Sequence, residues 1–238
     1  MAKNKKNLKN ESKSSSKFAF WMVGLVAAFI LGFIFLGNHT KPDEKTKTKE
    51  NIDYSNQPFL GEKSAPVSII EFGDYKCPMC KNFAEQTVPI IQTELVDNGK
   101  AKFYFMNNSF INVDSIRSAK FAESVFQELG NQSFWKFHEL LYKKQPNDPK
   151  SEKADIFTED FLVNTLKEFA GDKEVNKVVE NFRAKKSEDA WDKDMEYAKK
   201  LGVTGTPTLF VNGKMFTGQT IDDLITMVED AAKGKKNE

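Results

Sequence analysis

The pattern of apolar and polar positions divides the chain into an unusual front and a long body. Residues 1–17 are polar and basic, with six Lys against one Glu. Phe18 to Gly37, FAFWMVGLVAAFILGFIFLG, runs for twenty residues without a charge, about the length that crosses a bilayer core as one helix. Residues 38–57 are again polar and almost free of large apolar side chains, so they read as a flexible linker that cannot bury enough surface to fold. From 58 to 236 the periodicity is that of one well-cored domain.

Within that body the period changes along the chain. APVSIIEF, residues 65–72, is a β-branched and aromatic run that reads as a buried strand, and the segment after it has helical spacing at Phe83, Val88, Ile91 and Leu95. Pro89 lies inside this helix and predicts a kink. GKAKFYFMNN predicts a second strand. A helical block then occupies about 112–202, with five apolar faces: Ile116 to Leu129, Phe134 to Leu141, Phe161 to Phe169, Val175 to Phe182, and Trp191 to Leu201. QPNDPKSEKAD breaks the block between its second and third helices. TPTLFVNGKMFTG reads as a hairpin turning at Asn212-Gly213, and TIDDLITMVEDAAKG as a closing helix capped by Thr220.

Charge assigns the front a side. The net charge of the chain is +1, but residues 1–49 hold ten Lys against three acids, which is +7, so the remainder carries 1 − 7 = −6. The positive-inside tendency keeps residues 1–17 in the cytoplasm and puts everything after the span outside. A cleaved signal peptide would have a shorter apolar region and a small-x-small site, which Phe35-Leu36-Gly37-Asn38-His39 does not provide. The acidic body argues against nucleic acid as a partner.

Two cysteines are the only ones in the chain, Cys77 and Cys80 in CPMC. A clip between them would close a tiny loop and constrain the unfolded chain very little. Zinc would require further ligands, and the only histidines are His39 in the linker and His138 far along the chain, which reads as a structural or surface residue. A reactive dithiol fits the setting. The pair lies where a strand hands over to a helix, Pro78 suits the first helical turn, and Cys77 at the helix start gains from the unpaired N–H groups there. Glu71 is a carboxylate in an otherwise apolar strand, placed either to hold the proton of Cys80 or simply to face water. Asp74 and Lys76 flank the site and read either as charges that tune it or, more simply, as solvated loop charges.

Strand-CxxC-helix at one end, GVTGTPTLFVNG at the other and a helical block between them resemble the DsbA-like thiol:disulfide oxidoreductases, in particular the membrane-anchored BdbD type of Gram-positive bacteria. The resemblance covers about residues 58–236. It implies an α/β thioredoxin fold with an inserted helical domain, an active site of Cys77 and Cys80, and a cis peptide between Thr206 and Pro207 beside it. It further implies an oxidase whose redox group is the Cys77–Cys80 disulfide, without another cofactor and with no metal at the dithiol. Its substrates would be newly exported cysteine-containing proteins, and a quinone-linked membrane oxidase of DsbB or BdbC type would reoxidise it. Alternatives on the same fold are a reductase or isomerase, or an anchored peptide-binding chaperone. One position departs from the pattern: the strongest oxidants of the family carry His where this chain has Met79.

Overall fold

In the computed structural model, which describes residues 52–234, five strands form one sheet. They are β1 (Phe59–Leu60), β2 (Val67–Gly73), β3 (Ala101–Asn107), β4 (Thr208–Val211) and β5 (Lys214–Met215), in the spatial order β1-β3-β2-β4-β5. Only β2 and β3 run parallel; the other three pairings are antiparallel. β2 is buried at every position, as a central strand covered on both faces must be. Alternation along it sends Val67 and Ile69 into one core and Ile70 and Phe72 into the other. The short β1 carried too few residues to show as a strand in the sequence.

After β2 the chain enters α1 (Pro78–Asn82), widens into a π-helical stretch at Phe83–Thr87, continues as α2 (Val88–Ile91) and widens again at Gln92–Val96. The disturbance expected at Pro89 therefore takes the form of a π-turn just ahead of it, where the Val88 N–H reaches back to the Phe83 carbonyl. The helical block comprises α3 (Val113–Lys144), α4 (Glu159–Leu166), α5 (Asp172–Arg183) and α6 (Glu188–Leu201). α3 is two helices in tandem, since Gly130 breaks it with φ 79° and ψ −176°, so the five apolar faces correspond to five helical pieces. α7 (Ile221–Gly234) closes the chain. Asn212 and Gly213 both have positive φ, at 48° and 80°, the conformation that a tight two-residue hairpin turn requires.

The larger core lies between one sheet face and the helices and includes Phe103, Phe105, Phe121, Phe134, Phe137 and Cys80. The smaller core on the opposite face gathers Ile70, Phe72, Met106 and Phe210 against Ala198 and Leu201 of α6. Ile52 is buried in this second core and Tyr54 packs beside it. Gln57 donates through Nε2 to Asp194 Oδ1 at 2.7 Å. Residues 52–57, which the sequence places at the end of the linker, are thus part of the folded domain. Burial raises the Asp194 carboxyl to about 7 and lifts Glu123 well above its ordinary value. Asn107 Nδ2 donates to both acids, at 2.8 Å to Glu123 and 3.0 Å to Asp194.

Among the described residues no helix is long and apolar enough to cross a membrane. The basic tail 1–17, the apolar segment 18–37 and the linker up to residue 51 lie outside the described residues.

Candidate active site

The site begins with the turn that carries the chain from β2 into α1. Asp74 Oδ1 accepts the Lys76 N–H at 2.8 Å, and the Asp74 carbonyl accepts the Cys77 N–H at 3.0 Å, a local arrangement for which aspartate is suited. Its other oxygen, Oδ2, accepts the N–H groups of Phe110 at 3.0 Å and Ile111 at 3.2 Å. Asp74 therefore shapes the approach to the dithiol and ties it to the loop after β3. Burial raises its carboxyl above the ordinary value, against the N–H donors that favour the charged form.

Lys76 is wholly buried as well. Its Nζ pairs with Asp114 Oδ2 at 3.0 Å and donates to the carbonyls of Ser151 at 2.6 Å and Ala154 at 2.8 Å. Asp114 Oδ2 in turn accepts the N–H groups of Ile156 and Phe157. The expectation that Asp74 and Lys76 are solvated loop charges is overturned. Each is enclosed because the helical block closes over the turn, and each has the partners a buried charge requires. What the sequence could have shown is their position, two charges between a buried strand and a helix; the partners at 110–114 and 151–157 are too distant along the chain to be inferred.

Cys77 stands at the N-cap of α1 with Pro78 at the first helical position. It is 7% exposed and Cys80 is fully buried; both thiols are free. The Cys77 thiol is lowered from 9.0 to about 6, first by hydrogen bonding with Cys80, then by Thr206 and by the N–H groups of Cys80 and Met79, all acting against burial. Those two N–H groups lie beside the sulfur without strict cap geometry. Cys77 Sγ lies 3.3 Å from the Thr206 carbonyl oxygen. Burial first, and then the bond with Cys77, push Cys80 in the opposite direction, well above its ordinary value. Two chemically identical thiols are thus separated by their surroundings, the outer one set to ionise and the inner one to stay protonated.

The peptide Thr206-Pro207 is cis, and the carbonyl ahead of Pro207 is the one in contact with Cys77. Thr206 and Pro207 are half-buried. Met79, by contrast, is 62% exposed, the most exposed large apolar side chain of the site.

Glu71 occupies the middle of β2, between Phe105 of β3 and Leu209 of β4. It is fully buried, and neither carboxylate oxygen has a hydrogen-bond partner. Of the two readings open in the sequence, facing water is therefore excluded. Burial raises its carboxyl to about 8, with the neighbouring Cys77 charge adding to the effect, so the group is mostly protonated at neutral pH. The Glu71 charge also contributes to holding Cys80 protonated. The sequence did not single out the aromatic cluster around this acid. Tyr75 Oη lies 3.1 Å from His138 Nδ1, and Tyr142 packs against both rings at 5.1 Å and 4.9 Å. Burial lowers His138 to about 3, so it is a neutral packing residue of the core. The sequence reads His138 as a structural or surface residue and does not single out Tyr142, because helical period alone does not indicate which strand residue either would meet.

Comparison with known proteins agrees with this geometry. A family model described as Thioredoxin matches residues 53–230. The probable disulfide bond formation protein D of Bacillus cereus is 35% identical over 173 residues, covering 73% of this chain and 78% of the relative. Disulfide bond formation protein D of Bacillus subtilis is 35% identical over 180 residues, covering 75% and 78%. The crystal structure of oxidised BdbD from Bacillus subtilis superposes with a TM-score of 0.69 at 33% identity, over 76% of this chain and 95% of that one. DsbA from Chlamydia trachomatis, at 18% identity and a TM-score of 0.61, shares the fold. With its dithiol at a strand-to-helix junction and an inserted helical domain, the chain belongs to this thioredoxin family and is a DsbA-like thiol:disulfide oxidoreductase of the BdbD type.

Proposed function

We propose that the protein is an extracytoplasmic oxidase that donates a Cys77–Cys80 disulfide to newly exported proteins. The observation that carries this reading is the opposed setting of the two thiols, Cys77 lowered to about 6 and Cys80 raised. A stabilised Cys77 thiolate favours the reduced enzyme, and so favours passing the disulfide on. A substrate thiolate attacks Cys77 Sγ, the Cys77–Cys80 bond breaks, and Cys80 leaves as a thiolate that takes the proton held by Glu71. A second substrate thiol, deprotonated, attacks the substrate sulfur of the mixed disulfide and expels the Cys77 thiolate. The substrate loses two electrons and the enzyme gains them. The half-buried edge at Thr206-Pro207 is where an extended substrate backbone would lie. The redox group is the cysteine pair itself, with no further cofactor or metal in the scheme.

Residues 18–37 would anchor the enzyme with the catalytic domain outside, where disulfides persist. A quinone-linked membrane oxidase of DsbB or BdbC type would accept the two electrons. The exposed Met79 in place of His favours a second reading, a weaker oxidant acting as reductase or isomerase. An anchored chaperone would have no use for such unequal thiols. Equilibration in glutathione buffer, with the fraction of disulfide as readout, decides direction: an oxidase shows a potential well above that of the reducing thioredoxins, and a potential near about −270 mV points to the reductase. Cys80→Ser should accumulate mixed disulfides with exported proteins while Cys77→Ser does not; the reverse pattern would exchange the two roles.

A further inference from the structure

Two lysines bracket the dithiol, Lys76 immediately before Cys77 and Lys81 immediately after Cys80. Both reach into one segment of the helical block. Lys81 Nζ donates to the Gln145 carbonyl at 2.6 Å and to Asn147 Oδ1 at 2.8 Å. Lys76 Nζ donates to the carbonyls of Ser151 and Ala154 at 2.6 and 2.8 Å. The order is reversed: the early end of the segment belongs to the late end of the motif. Residues 145–154 therefore run antiparallel past Cys77-Pro78-Met79-Cys80, fastened at both ends.

The fastening is selective in what it uses. Four of the bonds fall on the segment, three on backbone carbonyls and one on the Asn147 side chain, so the lysines fix the path of the chain mainly through its backbone. Asn147, Asp148, Lys150 and Lys153 are exposed along it. The influences that lower the Cys77 thiol come from Cys80, Thr206 and the helix start, while the lysine ammonium groups are engaged with the segment. A segment that bears three grips on its backbone beside a reactive cysteine, and presents polar side chains outward, has the properties of a cleft wall.

We propose that residues 145–154 form one wall of the cleft by which a polypeptide reaches Cys77, and that Lys76 and Lys81 are the positioning residues that hold it there. The inference rests on the reading of the chain as an enzyme acting on protein thiols. An extended polypeptide passing Cys77 must fit against this wall. A small thiol needs only the sulfur and ignores it.

The test uses the full-length enzyme. Lys81→Met releases the early end at a partly exposed position and leaves the core intact. Lys76→Met is made together with Asp114→Asn, because an unpaired buried carboxylate would itself unfold the region. For each variant KM and kcat are measured with a reduced, unfolded protein as substrate, together with the rate constant for dithiothreitol and the Cys77 pKa by thiolate absorbance. The expected result is a rise of about three- to ten-fold in KM for the protein in each variant, with the dithiothreitol rate and the Cys77 pKa unchanged. Unchanged KM with only a lower melting temperature would make the fastening purely structural and overturn the proposal. Parallel losses with both substrates and a displaced Cys77 pKa would overturn it in favour of electrostatic tuning. A wild-type enzyme that exchanges with dithiothreitol and not with the unfolded protein would overturn the protein-thiol reading itself, and the wall with it.

Discussion

At the scale of single residues the site works by contrast between neighbours. Cys77 and Cys80 differ because the outer sulfur receives hydrogen bonds from Cys80, the Thr206 side chain and the N–H groups of the helix start, while the inner one is sealed in the core. Met79 lies between them and is open to solvent. Met79→His would place a hydrogen-bond donor, and when protonated a charge, near the Cys77 thiolate, lowering its pKa further. The disulfide has no such charge to stabilise, so the effect falls on the reduced enzyme alone. Each pKa unit is about 1.4 kcal/mol, or roughly 30 mV for a two-electron couple. One to two units would raise the potential by about 30 to 60 mV. Potential and thiolate absorbance measured on both proteins check this; a pKa that falls without a rise in potential would break the link between the two.

At the scale of elements, helices and strands were legible in the sequence and their partners were not. The hairpin at Asn212-Gly213 and the helix after CxxC follow from local chemistry, turn residues in one case and apolar period with Pro78 in the other. Asp74 and Lys76 were misjudged because their burial depends on Phe110, Asp114 and the 151–157 segment, which no local pattern brings near. Glu71 could be suspected from its apolar strand, but whether it faced water depended on the helices packed over it. The break in α3 is a further element-scale feature, and Gly130 carries it with positive φ. An added Cβ there meets nothing within 4 Å, so Gly130→Ala should cost only backbone strain, about 1–3 kcal/mol for this glycine-only conformation. Urea unfolding should show a lower midpoint at unchanged slope; a neutral result would mean that the two halves of α3 can join as one straight helix.

At the scale of the molecule, the redox state of the site is coupled to the stability of the fold. A thiol lowered from 9.0 to about 6 on folding stabilises the reduced enzyme. The sign is that of an acid depressed on folding: the contribution is fully present above about pH 9, declines as pH falls, and is gone below about 6. The raised pKa of Cys80 acts in the opposite sense only above pH 9. Glu71 titrates in both redox forms, and the Cys77 charge raises it further in the reduced one, so the difference between their unfolding curves reports the cysteines together with that coupling. Matched denaturant curves should therefore find the oxidised form less stable than the reduced at pH 8, with the gap narrowing towards pH 6. A gap of opposite sign, or one that widens on acidification, would contradict the thiolate assignment and favour a reducing enzyme.

The contact between Cys77 and Thr206 joins positions 129 residues apart in the chain, and β2 finds its neighbour β4 across the whole helical block. This arrangement has a meaning in time. A chain delivered N-terminus first presents its two cysteines before the helical block, and the strand that completes their surroundings arrives only after it. Until then Cys77 lacks its neighbour Thr206 and the sheet lacks β4 and β5. Closing so long a loop is slow relative to forming helices, so the helical block can fold while the site is still open. The surroundings of the Cys77 sulfur are therefore complete only after the helical block and the Thr206 segment that follows it have been added.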